Sequence, residues 1–530
     1  MLFYFNFVMF KDSYLCIFKN LRRYQFMKII AYDLGTGGVK ASLYDEEMHT
    51  LAKSFISYPT QYPCSYMHEQ KPEDWWNGVI ESTRKLIKSS NVAASEIGVL
   101  ALSGHSLVTV PIDKDGHLLT ESVPIWSDTR AVAETEEFFQ KISEETWYMT
   151  TGNGFPAPCY SIFKLMWMKK HQPDIFSKTC QVLGSKDYIN YKLTGVCRMD
   201  PSYASGTGAY DLVAHKMRSD FLEAAGLPPD IFPEIVPSHT IIGKILPEVS
   251  KEIGLSPDTL VACGGVDNAC MALGAVGPED GKIYTSLGSS SWVPVNSRKP
   301  ILDFQKKPYV FAHIEENMFT SAFSIFAGGS SFAWARDVLC KDISDNPFDE
   351  MSKMAASVSI GSGGIFFNPS LAGGTSQDKS INIRGAFIGL HLGTSREAMV
   401  RATMEGICMN LKESINYLKE RTSASDEILF CGGGSKSPFW MQMFADVFNT
   451  NIIKTNIDQD AASLGAAAIA ARGAGLWNDY SGIASLHHIE NISHPDPDRV
   501  QQYAKLQDTF VHICDVLADL GDYMHSKENN

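Results

Sequence analysis

The chain carries one local design twice. Residues 28–44, "KIIAYDLGTGGVKASLY", run as a short apolar strand to an acid, Asp33, and turn through Gly35, Gly37 and Gly38. They resume with period-two alternation, with Val39, Ala41 and Leu43 on one face and Lys40, Ser42 and Tyr44 on the other. Residues 281–292, "GKIYTSLGSSSW", do the same, with a Gly/Ser turn before an apolar restart at Trp292. A glycine turn between two strands predicts a hairpin. The spacing matches neither G-x-x-x-x-G-K-[ST] nor a G-x-G-x-x-G that opens a helix, so the two common phosphate loops are excluded. What remains is a hairpin tip, where glycines expose backbone N–H groups and let an anion approach closely. Taken alone, either copy could be a plain structural hairpin. Two copies predict a duplicated architecture with two phosphate-binding tips facing each other.

Two further glycine clusters fit the same picture. In "ILFCGGGSKSPFWMQMFADVF" (428–448) a strand runs into Gly432, Gly433 and Gly434, and a helix begins near Pro438. A strand, a triple glycine and a helix N-terminus make a place where a flat ring and anionic groups can meet backbone. In "LVACGGVDNACMALGAVG" (260–277) an apolar strand ends at Gly264 and Gly265, and Asp267 opens a helix rich in Ala and Gly. Asp267 reads either as a helix N-cap, a structural role, or as a carboxylate held at a cleft floor for general-base work.

At 530 residues the chain has room for two or three domains. The formal net charge of −14, with no basic stripe, excludes nucleic-acid binding. The eleven cysteines are scattered, without a CxxC pair or zinc spacing, which points to a reducing cytoplasm. The first 26 residues are aromatic-rich and unlike the rest. Lys11 and Asp12 interrupt the apolar run and Arg22 and Arg23 follow it, the reverse of a signal peptide, and the run is too short for a membrane span. They read as an extension before the fold, or a wrongly chosen start, with the organised sequence beginning at Met27. No later segment reads as transmembrane.

Together these motifs resemble the FGGY carbohydrate kinases, of the actin/hexokinase/heat-shock ATPase superfamily. "AYDLGTGGVK" resembles the family's first phosphate loop, "YTSLGSSSW" the second, "FCGGGSKSPFW" the adenosine loop and "GGVDNA" the segment with the catalytic aspartate. "CYSIFKLMWMKKH" (159–171), with Lys164 and Trp167, and "GAFIGLHLGTSREAMVRATMEG" (385–406), ending in Glu405 and Gly406, resemble its two long signatures. Each departs once, at Cys159 and Ala398. "WSDTR" (126–130) and "SKDYINYKLTG" (185–195) resemble the xylulokinase-like members. The resemblance spans residues 27 to about 475.

It implies an α/β protein of two actin-like (ribonuclease H-like) domains flanking a deep catalytic cleft. Domain one would cover residues 27–274, domain two 281–473, and a helical tail 474–530 with a final amphipathic helix at 496–519. It implies transfer of the γ-phosphoryl group of ATP to a sugar hydroxyl. ATP would meet Thr36, Gly37, Gly38, Lys40, Ser286, Gly288, Ser289, Gly329, Gly432, Gly433, Gly434 and Ser437. Asp33, with Asp267, would hold Mg²⁺ partly through water, and Asp267 would accept the proton of the attacking hydroxyl. The sugar would meet His105, Ser106, Trp126, Asp128, Arg130, Asp267 and Asn268.

The sugar pocket departs from the xylulokinase pattern. In "LALSGHSLVTVPID" (100–113), His105 falls where Gln is usual, and Ser106 and Leu107 where Met and His are usual. Hydroxyl recognition is sharp, so the change puts xylulose itself in question and keeps a polyol, a sugar acid such as gluconate, or another ketose as alternatives. Asp128 and Arg130 also read as a surface ion pair, His105 as a satisfied core histidine, and Trp126 as core or as a stacking platform. A catalytically silent nucleotide-binding protein of the same fold is the non-enzyme alternative. A homodimer is left open, and sugar binding is expected to close the cleft.

Overall fold

The computed structural model describes residues 27–154, 156–458 and 460–528. The expectation for residues 1–26 lies outside the described residues. Strand β1 (Lys28–Gly35) turns through Thr36 and Gly37 into the antiparallel β2 (Gly38–Tyr44), and β3 (Thr50–Ser57) extends the meander. Strands β4 (Ile97–Gly104) and β5 (Leu260–Ala262) add in parallel on the other side of β1, giving the order β3-β2-β1-β4-β5. In the second half, β6 (Ile283–Leu287), β7 (Ser291–Ser297), β8 (Phe319–Ile325), β9 (Glu427–Cys431) and β10 (Asn451–Thr455) repeat the order and directions as β8-β7-β6-β9-β10. The duplication signalled by two glycine turns thus extends through five strands of each sheet.

The tail is not purely helical. Strand β11 (Ile489–Ser493) pairs antiparallel with β10 and forms an edge of the second sheet. Its residues are mostly exposed, so it lacks the apolar alternation that announces a half-buried strand.

The helices that shape the cleft are α1 (Pro72–Ser90), α2 (Asp267–Val276), α3 (Gly328–Leu339), α4 (Arg396–Arg421), α5 (Pro438–Phe448), α6 (Ala461–Gly473) and α7 (Pro497–Glu528). Val39, Ala41 and Leu43 of β2 pack with Trp75, Trp76 and Val79 of α1. Ser42 and Tyr44, on the expected polar face, are buried as well. Helix α6 covers that side of the sheet, so β2 is enclosed on both faces.

Helices α2 and α6 cross between the halves. Helix α2 packs Ala269, Cys270 and Leu273 in the core of the first half and Ala272 and Ala275 against Tyr284 and Leu429 of the second. Helix α6 leaves the second sheet but packs against β1 and β4 of the first. Where the two helices cross, Gly274 faces the Ala461 carbonyl and Gly465 faces the Cys270 carbonyl, so close that a Cβ on either would overlap backbone.

The long signature ending at Glu405 and Gly406 lies in α4, behind the second sheet. Buried Glu405 accepts the Gly361 N–H at 3.2 Å, Ser362 Oγ at 2.8 Å, Arg401 Nε at 2.7 Å and the Tyr503 hydroxyl of α7 at 3.1 Å. Its role is to fasten α7 and the 361–362 turn to α4. Among the described residues, no helix is long and apolar enough to cross a membrane.

Candidate active site

The floor of the site is built by three neighbouring strands. Asp33 of β1 sits beside Ser103 of β4, and Ser103 sits beside Gly265 of the short strand Gly265–Val266. Ser103 Oγ donates to Asp33 Oδ1 at 3.0 Å. The chain bends sharply at Gly264, with φ +78°, where a Cβ would overlap the Leu102 carbonyl. Two residues past Gly265, Asp267 enters α2. Asp33 and Asp267 therefore stand at the carboxyl ends of the two strands that flank β4, the usual ligand edge of such a sheet.

Asp267 is not the N-cap of its helix. Val266 occupies that position and no side chain caps the helix; Asp267 is the first helical residue. Its Oδ1 accepts the adjacent Asn268 N–H at 2.7 Å. The enclosure of the floor and the nearby Asp33 carboxylate push Asp267 up to about 7. Burial likewise raises Asp33, opposed by Lys40 and by the Ser103 bond.

The segment that delivers Asp267 is strapped at every step. Lys186 Nζ at 3.3 Å and Asn190 Nδ2 at 2.8 Å both donate to the Cys263 carbonyl. The Gly264 N–H donates to the Ser238 carbonyl at 2.9 Å, and the Val266 N–H to Ser202 Oγ at 3.0 Å. Ser202 in turn donates to buried Asp200, whose other oxygen lies 3.1 Å from Lys186 Nζ. Lys186 also pairs with Asp187 at 2.5 Å. "SKDYINYKLTG" thus supplies Lys186, Asp187 and Asn190 as braces rather than as substrate contacts.

The segment 126–130 is equally committed. Asp128 is fully buried and accepts four hydrogen bonds, from the His68 N–H at 2.8 Å and from Arg130 N, Nε and Nη2 at 3.1, 2.8 and 2.7 Å. Arg130 also donates to Glu69 at 2.6 Å and lies over the Trp167 ring at 4.8 Å. The pair is a buried cluster, not the surface ion pair the sequence allowed. His105 is buried, its Nδ1 3.1 Å from the Leu34 carbonyl and its ring edge-on to Trp75 at 5.2 Å. Burial pushes it down to about 4, so it is neutral at pH 7, and its buried Nε2 has no hydrogen-bond partner among the described residues, so it is not the satisfied core histidine of the alternative reading. Ser106 beside it is partly exposed. Lys164 is buried, donates to the Leu107 and Ile125 carbonyls at 3.0 and 2.5 Å, and is pushed down to about 8 by burial. It clips together the two loops that carry Ser106 and Trp126. Trp126 is 45% exposed, which removes the core reading.

The second half provides an open pocket of about 620 Å³, walled by Leu287, Gly288, Phe348, Gly433, Ser437 and Trp440. The second hairpin tip packs on the start of α3, where the Gly329 and Ser330 N–H groups donate to the Gly288 and Ser289 carbonyls, each at 2.9 Å. Gly329 is glycine because a Cβ would overlap the Gly288 carbonyl. Ser286 lies on β6 beside Cys431 of β9. Gly432 adopts φ +91° and donates its N–H to Asp458. A short 3₁₀ turn, Gly433–Lys436, precedes α5, which Ser437 caps by accepting the Trp440 N–H at 3.3 Å. A Cβ on Gly433 would meet nothing within 4 Å, whereas one on Gly434 would overlap Leu287. The glycines thus divide the work: Gly433 keeps the pocket open and Gly434 keeps the loop against the sheet.

The structure therefore places Thr36, Gly37, Gly38 and Lys40 in one half and Ser286, Gly288, Ser289, Gly329, Gly432, Gly433, Gly434 and Ser437 in the other. Lys40 lies 3.8 Å from Asp460, just before α6. Sequence reading did not single out the pocket residues Phe348 and Trp440 or the braces Ser103, Asp200 and Ser202, although Trp440 and Ser103 stand inside quoted motifs.

Comparison with known proteins agrees with this geometry. Residues 28–274 match the N-terminal domain, and residues 283–474 the C-terminal domain, of the FGGY family of carbohydrate kinases. The chain is 32% identical over 506 residues to a xylulose kinase of Bacillus subtilis, covering 95% of this chain and 99% of that protein. It is 26% identical to a gluconokinase of the same organism, covering 92% and 96%. Crystal structures of a gluconate kinase and of a ligand-bound xylulose kinase, both from Lactobacillus acidophilus, each superimpose with a TM-score of 0.87 at 26% identity, over 93% of this chain and 98% of theirs. With both domains matched in order over most of its length, the chain belongs to the FGGY family of carbohydrate kinases.

Proposed function

We propose that this ATP-dependent sugar kinase acts on a neutral ketopentose, D-xylulose foremost. The observation that carries the choice is the state of Arg130, which is neutralised by Asp128 and Glu69 together. Lys164, the other cation at the acceptor motif, is spent on two backbone carbonyls. A sugar acid such as gluconate would find no uncommitted cation among these groups for its carboxylate, whereas hydroxyls need none. The greater identity to the xylulose kinase than to the gluconokinase supports the same reading.

Asp267 accepts the proton of the attacking hydroxyl. The hydroxyl oxygen forms a bond to the γ-phosphorus, the β,γ-bridging P–O bond breaks, and ADP leaves. A base held near pH 7 is matched to this work, a contribution of about 10²–10⁴-fold. The N–H groups of Thr36, Gly37 and Gly38 and of Gly288 and Ser289 receive the phosphate oxygens, and the Gly433 pocket receives the base of the nucleotide. Asp33 and Asp267 stand on the two strands that flank β4, both raised by burial and Asp267 by Asp33 as well, a donor set suited to a hard cation that keeps its waters. Mg²⁺ held there would supply charge neutralisation at the moving phosphoryl group. Because the phosphate-binding groups are divided between the halves, the cleft must close on the substrates before transfer.

ADP release from the full chain with D-xylulose, D-ribulose, xylitol and D-gluconate tests the reading. D-xylulose should give the highest kcat/KM and gluconate the lowest. Preferred turnover of gluconate would overturn it, and absence of ADP with every acceptor would favour the silent nucleotide binder.

A further inference from the structure

The tip of the first hairpin is held by groups outside the phosphate-binding set. Buried Gln70 is fully engaged: its Oε1 accepts the Trp75 indole N–H at 2.9 Å, and its Nε2 donates to the Thr36 carbonyl at 2.7 Å and to Thr60 Oγ1 at 2.8 Å. From the other side, Trp126 donates its indole N–H to Thr36 Oγ1 at 2.9 Å. Gln70 ends the strand Met67–Gln70, which pairs with Val123–Pro124 through Glu69 with Pro124 and Gln70 with Val123. The second of these strands runs directly into residues 126–130. Glu69 binds Arg130, and the His68 N–H binds Asp128. One small sheet therefore carries the acceptor motif and leads to both anchors of Thr36.

The chemistry of the contact gives it direction. With its carbonyl and its hydroxyl oxygen both accepting from this sheet, Thr36 cannot turn either of them toward an incoming polyanion. The indole N–H also orients the Thr36 O–H away from the ring and strengthens it as a donor, since hydrogen bonds in a chain polarise one another. Trp126, exposed at the acceptor motif, is the one of these anchors that a bound sugar can reach.

We propose that Gln70 and Trp126 are positioning residues that hold the Thr36 tip for phosphate, and that the Trp126–Thr36 bond carries acceptor occupancy to the nucleotide site. Nucleotide binding should then tighten when sugar is present, and the tightening should depend on that one bond.

The test is equilibrium binding of the Mg²⁺ complex of the β,γ-imido analogue of ATP to the full chain, with and without D-xylulose. The variants are Trp126→Phe, Thr36→Val, Thr36→Ser and the Trp126→Phe/Thr36→Val double variant, with melting temperature as the control for folding. Each of the first two should weaken nucleotide binding about three- to tenfold and bring the ratio of Kd without and with D-xylulose toward one. The double variant should be no weaker than the weaker single, and Thr36→Ser, which keeps the acceptor oxygen, should recover most of the loss. Additive losses, or an unchanged Kd in Thr36→Val, would overturn the anchoring. A wild-type Kd that ignores D-xylulose would overturn the relay. Turnover of D-xylulose, measured separately, judges the substrate reading. Should Trp126→Phe fail to fold, the Val/Ser pair at the half-buried Thr36 still decides the anchoring.

Discussion

Replacing Asp267 by Asn should inactivate the enzyme and stabilise it, and the stabilisation should vanish in acid. The Asp267 carboxyl titrates ordinarily near 3.8 and is pushed up to about 7 in the fold. The folded chain thus binds this proton more tightly than the unfolded chain does. As pH rises from about 4 to about 7, the unfolded chain ionises freely while the folded chain resists, so the fold loses stability over that window and keeps the full penalty above it. Below pH 4 the group is neutral in both states and the penalty is absent. The whole displacement corresponds to about 4 kcal/mol. Asp267 retains some contact with solvent, which screens the charge and brings the expectation to about 1–2 kcal/mol. An amide has the same shape and no charge, so Asp267→Asn should gain that amount at pH 8, about 1–2 °C in melting temperature for a chain of this length. Scanning fluorimetry in chelator at pH 4 and pH 8 measures it. Equal stability at pH 8, or an equal gain at both pH values, would refute the argument. In the same variant turnover should fall by about 10²–10⁴-fold; a loss smaller than tenfold would remove Asp267 from the base role. Asp33→Asn provides the matching control. Asp33 is a cause of the upward displacement, so the acid limb of kcat/KM should move to lower pH when its charge is removed.

Three further outcomes follow from single contacts. Ser202→Ala leaves the buried Val266 N–H without its acceptor; kcat should fall about three- to tenfold with the KM for ATP little changed, and an unchanged kcat would show that Asp267 does not depend on the strap. Gly433→Val should leave melting temperature unchanged, since its Cβ meets only open space, yet raise the KM for ATP at least about tenfold, worth roughly 1.4 kcal/mol of binding; Gly434→Ala should do the opposite and lower stability through Leu287. Gly465→Val drives a side chain into the Cys270 carbonyl at the helix crossing and should cost about 3 kcal/mol or more, read as loss of soluble protein or a depressed melting temperature; a normally stable variant would mean that the helices can separate without penalty.

What the sequence determined alone are the features whose physical cause is local. A tight turn favours glycine, and strands announce themselves by period two, so both hairpins, the glycine loop after β9 and the acid at the end of β1 were legible at the right residues. The duplication followed from those, whereas the assignment of Asp33 and Asp267 to one site was what the family resemblance implied. The tertiary structure alone decided which polar groups are free. Asp128 and Arg130 look like sugar contacts in one dimension, but Glu69 and the His68 N–H reach them from another strand and occupy them. Ser202 stands 64 residues from the N–H it accepts, and Trp126 stands 90 residues from Thr36. Likewise α6 is a regular helix in sequence, and only packing sends it to the first sheet, where it crosses α2. Periodicity and turn chemistry act between neighbours along the chain. The partner of a buried donor or carboxylate is set by which distant segments the two sheets bring together, and that choice leaves no spacing to read.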